Sequence, residues 1–361
     1  MADRASHYSR PQAKTPIHAY FYSMVEISII KFFIDYHLLS LIPEDGISIG
    51  QLAENAGVDY RLVKRFSNFL VASQFLASPA IDHVTHTPAS ALFKDPRASL
   101  FYNHIFNYFL VPSVKWEEYF QANGAKEPQE SSRIPFGLSA GHPNETLYEI
   151  LGSMPGREDA FNRTMAIALG DMPITGMYDF HWVEKYAAEN SEGINHPARP
   201  LIVDVGGGSG QALKAILEEN PGIPESRCVL QDQAQAIESA QQLGSVQKVA
   251  VSFFQPQPCK GALIYHIRRV LNDWSDQDCV KILKNIRTAC APDTRVLVSE
   301  QLLPETPSVE TAAGDVWMMN FGGKRRNETM LAQIGRDAGF KIARTFSHET
   351  SVSAVIEMVP V

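Results

Sequence analysis

The feature that most constrains this chain is a glycine-rich turn between a buried strand and a helix. Residues 201–205 read LIVDV, an apolar run typical of a strand buried on both faces, and residues 206–210 read GGGSG. Glycine lets the backbone turn tightly and lets a ligand approach it closely. Asp204 precedes the turn, and Asp232 ends the next predicted strand, where an acid suits the two hydroxyls of a ribose. The pattern predicts a cofactor site, and a plain glycine turn is the alternative.

The chain around this turn alternates between predicted strands and helices. The strands are read from LIVDVG, RCVLQD, GALIYHI, RVLVSEQLL and SAVIEMVPV, and the helices from QALKAILEENP, DCVKILKNIRTAC and ETMLAQIGRDAGF. Alternation of this kind predicts an α/β fold with a parallel, doubly wound sheet. A dinucleotide-binding fold of the same class would carry the motif GxGxxG, which this loop does not match.

The first third of the chain is predicted to be a separate helical domain. Apolar residues recur at helical spacing over residues 16–40, and shorter helices are predicted over residues 48–57 and 59–76. The segment ASPAIDHVTHTPAS then favours a small β-hairpin, which would complete a winged helix. We place this domain at residues 1–115, and we place linking helices and the cofactor-binding domain at residues 116–361.

The charge balance limits what the winged helix can bind. The chain has 361 residues, a formal net charge of −8 and a pI near 5.8. Nucleic-acid binding needs a basic surface, so we expect a packing or dimerisation module and no nucleic-acid partner. The four cysteines form no CxxC pair, so we expect free thiols and no metal site. The N-terminal residues carry no apolar leader, and no apolar run reaches about 18 residues, so we expect a cytoplasmic protein without membrane contact.

Several segments together resemble the plant- and fungal-type O-methyltransferases that act on phenols and polyketides. They are LAENAGVDYRLVKRF, THTPAS, DVGGGSG, VLQDQ, FFQPQPCKGA, LNDWSDQDCVKILKNI, VLVSEQLLPE and DVWMMNFGGKRRNETMLAQIGRDAGF. The resemblance covers most of the chain. It implies a Rossmann-like class I methyltransferase domain that binds S-adenosylmethionine. It also implies a homodimer whose N-terminal domains interlock and help to close the partner's active site.

The resemblance implies which residues contact the cofactor. The glycine loop and the acid before it would hold the amino-acid end of S-adenosylmethionine. Arg268 stands where the family keeps a basic residue beside the adenine, and Ser252 replaces an Asp that the family usually has near the adenine amino group. The implied cofactor-binding set is Asp204, Gly206, Gly208, Gly210, Asp232, Ser252, Phe253 and Arg268.

Two further departures fall on the family's catalytic residues. The family's HDW motif supplies a general-base His, and here the motif begins with Asn272 and Asp273. An amide has no usable basic site near neutral pH. Of the two acids that orient that His in the family, Glu300 is kept and the other is replaced by Arg325. One interpretation is drift in a methyltransferase whose substrate is already acidic; the other, which we favour at this stage, is that methyl transfer has been lost.

A site that has lost its base and gained hydrogen-bond donors resembles the pericyclases of fungal polyketide–pyridone pathways, such as the leporin and ilicicolin types. The resemblance implies a dehydration, Diels–Alder, hetero-Diels–Alder or Alder-ene step on a polyketide or pyridone, with S-adenosylmethionine bound but not consumed. Asn272 and Arg325 would act as donors. His104 would be a donor or an acid–base group, and a packed His at the dimer interface is the alternative. Asp273 could be a base, although a structural role is favoured.

Methionine and aromatic residues would form the wall of the substrate pocket, with generic core as the competing interpretation. The predicted pocket residues are Phe161, Met165, Met318, Met319 and Asn320. His266, on the strand before the site, is expected to be packed and not catalytic. Two alternatives to the pericyclase stay open: a genuine O-methyltransferase that acts on a phenolic or polyketide hydroxyl, and a non-catalytic partner subunit.

Overall fold

The computed structural model describes residues 13–154, 156, 160–161, 163–164, 172–190, 199–240 and 243–361. The chain divides into two compact units. The first comprises Met1–Leu110 together with Glu158–Ala168, and the second comprises Val111–Arg157 together with Leu169–Val361.

The first unit is mainly helical and contains a small antiparallel sheet. Its elements are α1 (Pro16–Asp35), β1 (Ile47–Ser48), α2 (Ile49–Ala56), α3 (Tyr60–Ala72), β2 (Leu76–Ala77), β3 (His83–His86), α4 (Pro88–Ala91) and α5 (Pro96–Ile105), followed by a π-helical turn (Phe106–Leu110). The sheet order is β1-β3-β2, and β2 and β3 form the hairpin that the sequence predicts. Asp59 caps α3 by accepting from the backbone N–H groups of Arg61 and Leu62, which explains why this helix begins at Tyr60.

Helix α1 is buried along only part of its length. Ile30 and Phe33 lie in the core of the first unit, whereas Ile17, Phe21 and Met24 are exposed. The predicted helical periodicity of this segment is confirmed, and the expectation of a protein without membrane contact stays a prediction. By length and composition alone, α1 is apolar enough to cross a membrane, a property that it shares with many core helices of proteins that never enter one.

The second unit contains a seven-stranded sheet and the helices around it. Its elements are α6 (Val111–Ser113), α7 (Trp116–Asn123), α8 (Pro135–Ala140), α9 (Leu147–Ser153), α10 (His181–Glu189), β4 (Ile202–Val205), α11 (Gln211–Glu219), β5 (Cys228–Asp232), α12 (Ala234–Ser239), β6 (Gln247–Ala250), β7 (Ile264–Arg268), α13 (Asp276–Arg287), β8 (Arg295–Gln301), α14 (Val309–Met319), α15 (Glu328–Asp337), β9 (Phe340–Ser347) and β10 (Ser353–Pro360). The strand order is β6-β5-β4-β7-β8-β10-β9. The predicted α/β class is confirmed.

The sheet is mixed, not wholly parallel as the sequence pattern suggested. Strands β4 to β8 run parallel, but β10 pairs antiparallel with both β8 and β9. The reason is the short connection between β9 and β10, because a parallel pair needs a crossover of a dozen or more residues. Strands β6 and β9 were missed in the sequence because both are largely exposed edge strands without a continuous apolar run.

Side chains at alternate positions along the strands pack into two separate hydrophobic cores in the second unit. Val203 and Val205 pack into a cluster with α13 and α15, whereas Ile202 packs into a cluster with α10 and α11. Successive strand residues point to opposite faces, so Asp204 lies on the same face as Ile202. This alternation fixes the face of the sheet on which the acid before the glycine loop lies.

Replacing Phe340 by Ala should lower the free energy of unfolding by about 3–5 kcal/mol, because this ring is fully buried in the cluster with α13 and α15. Urea unfolding followed by circular dichroism measures the change. The matched control is Lys341→Ala, one residue along β9 and exposed, which should change the unfolding midpoint little. Equal losses in the two variants would contradict the assignment of β9.

Candidate functional site

The glycine loop after β4 adopts the backbone that its sequence predicts. Gly206, Gly208 and Gly210 have φ angles of 68°, 58° and 81°, in the left-handed region that favours glycine. Gly207 is required for a different reason. A Cβ there would lie 2.5 Å from Asp204 Oδ2 and 2.5 Å from Leu230 Cδ1, so only glycine fits over the carboxylate.

Asp232 stands beside this loop at the end of β5. Its Oδ2 accepts from the N–H of Gly208 at 2.7 Å, and its Oδ1 accepts from the N–H of Gln233 at 2.7 Å. Burial raises the pKa of the Asp232 carboxyl, and the two backbone donors oppose that rise. The arrangement places an acid against the glycine loop, as an acid that binds ribose hydroxyls requires.

Asp204 is buried beneath the loop and is held from one side. Its Oδ1 lies 2.9 Å from Nδ1 of His266 on the neighbouring strand β7, and the two residues are direct register partners. Its Oδ2 is buried and has no hydrogen-bond partner among the residues that the structure describes. This carboxylate oxygen lies under the loop, at a point where Gly207 leaves no room for a side chain. Such an oxygen is suited to attract a cationic group of a ligand. The residues present therefore fit the cofactor that the resemblance implies.

Aromatic rings stand where the adenine is expected. Phe253 makes an edge-on contact with Trp274 at 5.6 Å between ring centroids, and Phe254 makes another at 4.8 Å. The Ser252 hydroxyl accepts from the N–H of Phe254 at 3.3 Å, so it stabilises the turn that carries these rings. A recess beside them is lined by residues that include Gly206, Gln231, Ser252, Phe253 and Asn285.

Arg268 ends β7 and is partly buried. Its Nη2 donates to the carbonyl of Met172 at 2.8 Å, and its Nε is buried without a hydrogen-bond partner. Burial lowers the pKa of Arg268 to about 10, against the attraction of Asp204 and Glu300. Arg269 follows with a φ of 56°, an uncommon backbone for a residue with a side chain.

Asn272 lies on a single 3₁₀ turn, Leu271–Asp273, that is stabilised by Glu300. Oε1 of Glu300 accepts from the N–H groups of Val270 at 3.0 Å, Leu271 at 2.9 Å and Asn272 at 3.4 Å. The family resemblance predicts that this acid orients the side chain at position 272. In the structure these three hydrogen bonds join it to the backbone of the turn instead, because three N–H groups at the start of the turn have no other acceptor.

Arg326 holds the same turn from the other side, and the sequence reasoning missed it. Its fully buried guanidinium donates to the carbonyls of Leu271 and Trp274, each at 2.7 Å, and to Asp276 at 2.7 Å. Gly323 lets the two loops meet, since a Cβ there would collide with the carbonyl of Asn272. The one signal in the sequence is an arginine that follows two consecutive glycines by three residues.

The amide of Asn272 has a definite orientation. Its Nδ2 donates to the carbonyl of Gln301 at 3.2 Å, and since a carbonyl can only accept, Oδ1 must be the other atom. That Oδ1 is buried, and no hydrogen-bond partner for it occurs in the described part of the chain. The expectation that Asn272 acts as a donor stays a prediction: Gln301 uses one of its two N–H bonds, and the buried Oδ1 offers an acceptor as well.

Arg325 lies against α14. Its backbone N–H donates to Asp315 at 2.7 Å, and a Cβ on Gly314 would lie 2.9 Å from its Nη2. Burial lowers the pKa of the guanidinium, against attraction from Asp315 and Glu310. Among the residues that the structure describes, no hydrogen bond or ion pair joins Arg325 to the turn of Asn272, although the backbone N–H of its neighbour Lys324 donates to the carbonyl of Asn272 at 2.9 Å.

Asp273 is half-buried and faces Tyr148 of α9. The Tyr148 hydroxyl donates to Oδ2 of Asp273 at 3.1 Å, and its ring stacks near Trp274. Burial raises the pKa of Asp273 to about 6, while the positive charge of Arg269 opposes the rise. Burial, and then the charge of Asp273, raise the pKa of Glu300 to about 7. Asp273 on the turn and Glu300 on β8 beside it therefore both have pKa values above those of ordinary carboxyls.

His104 and Phe161 meet in the first unit. Their ring centroids are 5.3 Å apart, and Tyr108 contacts both rings. Burial lowers the pKa of His104 to about 4, so its imidazole is neutral at pH 7. This environment suits a packed histidine or a neutral donor, and it does not favour a protonated acid.

The remaining predicted pocket residues belong to the end of α14, except Met165, which lies outside the described residues. Asn320 is fully buried, and its Oδ1 accepts from the indole N–H of Trp116 at 2.8 Å. The carbonyl of Met318 accepts from the N–H groups of Phe321 and Gly323. Met318 and Met319 are partly exposed, so both stay available to a ligand.

Comparison with known proteins places the chain among methyltransferases. The family model for the O-methyltransferase domain matches residues 194–341. Methyltransferase fsa4 of Fusarium sp. (strain FN080326) is 53% identical over 355 residues, which cover 97% of this chain and 97% of that protein.

Two solved structures share the fold at low sequence identity. OxaC, crystallised with S-adenosylhomocysteine and oxaline, aligns with a TM-score of 0.82 and 21% identity over 96% of this chain and 89% of its own. A structure described as a pericyclic reaction enzyme aligns with a TM-score of 0.73 and 19% identity over 96% of this chain and 90% of its own.

Replacing Arg326 by Met should lower the free energy of unfolding by about 3 kcal/mol. Two buried carbonyls would each lose a charged donor and keep only weaker contacts with the Cys279 thiol and the N–H of Trp274, and Asp276 would lose one of its two cationic partners. Chemical unfolding measures the loss. Arg336→Met is the control, since Arg336 is exposed on α15 and should be replaceable at little cost. If Arg326→Met were as stable as the unaltered protein, the turn would not depend on this guanidinium.

Glu300 should make stability depend on pH. Its folded pKa of about 7 lies above the ordinary value of 4.5, so the folded state binds the proton more tightly and the free energy of unfolding falls as pH rises from about 4.5 to about 7. Glu300→Gln keeps the accepting oxygen and should remove the contribution of Glu300, which flattens the slope between pH 6 and pH 7 and leaves the part that Asp273 contributes below pH 6. Unfolding at pH 5, 6 and 7.5 measures it, with exposed Glu328→Gln as the control. If the pH dependence of stability were the same in Glu300→Gln, the pKa of the Glu300 carboxyl would not be raised in the folded protein.

Proposed function

Because this chain belongs to the O-methyltransferase domain family, we propose that it binds S-adenosylmethionine and transfers the methyl group to an acceptor that needs no general base at position 272. The observation that carries the proposal is the combination of a complete cofactor loop with a neutral, fixed amide where the family has its base. The sequence alone favours a pericyclase, but the relatives are named methyltransferases, so we place methyl transfer first.

The chain's own residues are suited to the cofactor. S-adenosylmethionine, when bound, supplies an electrophilic methyl group. Gly206, Gly208 and Gly210 let the backbone approach it, and Asp232 stands beside the loop to receive ribose hydroxyls. The rings of Phe253 and Trp274 offer apolar surface to an adenine, and Ser252 and Arg268 flank that region in the sequence positions that the family uses.

Position 272 orients the acceptor and does not deprotonate it. The amide is neutral, and its Nδ2 is tied to the carbonyl of Gln301, so the buried Oδ1 is the atom that can accept from a substrate. Because position 272 cannot remove a proton, the acceptor must either ionise by itself before the reaction or lose its proton after methylation. Asp273, with a pKa of about 6, is the nearest group in the sequence that can take up a proton at neutral pH.

We propose a polyketide or pyridone with an acidic hydroxyl or N–H group as the acceptor, in keeping with the family's substrate range. We also propose that the chain works as a homodimer in the cytoplasm and that its first unit is the dimerisation module. The exposed apolar residues on α1 support an interface there. The winged-helix interpretation of α2, α3 and the β2–β3 hairpin belongs to this proposal.

A pericyclase is the second candidate. Its support is the loss of the base at position 272 together with the free acceptor Oδ1, which could hold a donor-bearing polyene in one folded conformation. The Arg325 guanidinium lies against Gly314 of α14, and no hydrogen bond in the described part of the chain joins it to the turn of Asn272, so a joint action of the two as donors stays a prediction. A non-catalytic subunit is the third candidate, and the intact cofactor loop argues against it.

One incubation separates the three candidates. The purified protein is mixed with S-adenosylmethionine carrying a ¹³C-methyl group and with 4-hydroxy-2-pyridone probes bearing a polyene alcohol, and products are followed by mass spectrometry. Methyl transfer predicts a labelled product and an equal amount of S-adenosylhomocysteine. An isomerised or dehydrated product without label would establish the pericyclase instead. Cofactor bound with neither product would leave the non-catalytic role, and Asp232→Ala is the control that should lose cofactor binding.

A further inference from the structure

We propose that His266 is a positioning residue for the cofactor: it holds Asp204 beneath the glycine loop so that this carboxylate attracts the cationic amino-acid end of S-adenosylmethionine. The inference rests on the proposed cofactor, and it concerns a residue that the sequence reasoning set aside as packed. Its basis is a buried side-chain pair on two central strands and an oxygen that the protein leaves unpaired.

The pair is fixed by the sheet. Asp204 on β4 and His266 on β7 are register partners in a parallel ladder, so their side chains lie on the same face. Their Oδ1 and Nδ1 atoms are 2.9 Å apart, and the two residues are 1% and 3% exposed. An ionised carboxylate can only accept, so the proton of this hydrogen bond belongs to Nδ1 of His266.

The charge of Asp204 is incompletely balanced by the protein. His266 supplies one hydrogen bond, and Arg268, which lies on the same face two residues along β7, supplies attraction without an ion pair. Asp232 is the nearby acid that Asp204 repels. A buried carboxylate with a single donor is costly, and that cost falls when a cationic ligand arrives.

The loop is built to let that charge act on a ligand. Gly207 lies directly over Oδ2 of Asp204, where a Cβ would be 2.5 Å from the oxygen, and Gly208 has open space where a side chain would stand. A ligand on the loop is therefore separated from the carboxylate by backbone alone. In such a low-dielectric setting, the interaction of charges is stronger than in water.

His266 determines whether the carboxylate keeps this position. Without the Nδ1 donor, Oδ1 would also be unpaired, and the side chain would be free to turn toward Arg268. That rotation moves the negative charge away from its position beneath Gly207. The expected consequence is weaker binding of ligands that carry the amino-acid end, with little change for ligands that lack it.

The test is isothermal titration calorimetry with S-adenosylmethionine and with 5′-methylthioadenosine, which keeps the nucleoside and sulfur but lacks the amino-acid end. His266→Phe should weaken S-adenosylmethionine binding about tenfold and leave 5′-methylthioadenosine within about twofold. His266→Asn places an amide nitrogen near the position of Nδ1 and should restore most of the affinity. Asp204→Asn should weaken S-adenosylmethionine binding, and adding His266→Phe to it should cause no further loss.

Each other outcome overturns the inference. Equal weakening of both ligands in His266→Phe would mean that the histidine only supports packing. Unchanged S-adenosylmethionine binding would mean that Asp204 keeps its place without it, and additive losses in the double variant would mean that His266 does not act through Asp204. These results leave methyl transfer by the unaltered protein untouched. Absence of S-adenosylmethionine binding to the unaltered protein would instead overturn the proposed function together with this inference.

Discussion

The turn that carries Asn272 depends on one buried guanidinium and one buried carboxylate. Glu300 accepts from three backbone N–H groups at the start of the turn, and Arg326 donates to two carbonyls at its ends. A short 3₁₀ turn cannot satisfy these groups itself, and leaving them unpaired in the interior would cost roughly 1–3 kcal/mol each. The site therefore exists because strand β8 and the loop before α15 bring these two charges to the same piece of backbone.

This support makes the shape of the turn independent of the side chain at position 272. Neither Glu300 nor Arg326 makes a hydrogen bond to the Asn272 side chain, whose amide instead donates to the carbonyl of Gln301. A residue that is not part of the support can change without loss of the fold. The structure thus accounts for how a family site can exchange an imidazole for an amide and still present position 272 in a fixed place.

Much of the fold followed from local patterns, and the site followed only in part. The apolar strands that end at Asp204 and Asp232 and the glycines after β4 were predictable because periodicity and glycine chemistry act over a few residues. The antiparallel end of the sheet was not, because it depends on a short connection between β9 and β10 and not on composition. Arg326 was not predicted because two of its three partners are backbone carbonyls, which every residue has and which therefore form no sequence pattern.

The replacements at positions 272 and 325 read as one change in charge. In the family, a base that becomes cationic benefits from an acid nearby, but a neutral amide offers no positive charge to stabilise. Burial, and then the charge of Asp273, raise the pKa of Glu300, which supports this turn from β8. Arg325 instead lies where Asp315 and Glu310 attract it. Once the base is gone, the electrostatic reason for an acid at 325 is gone as well, and a cation that serves α14 can take its place.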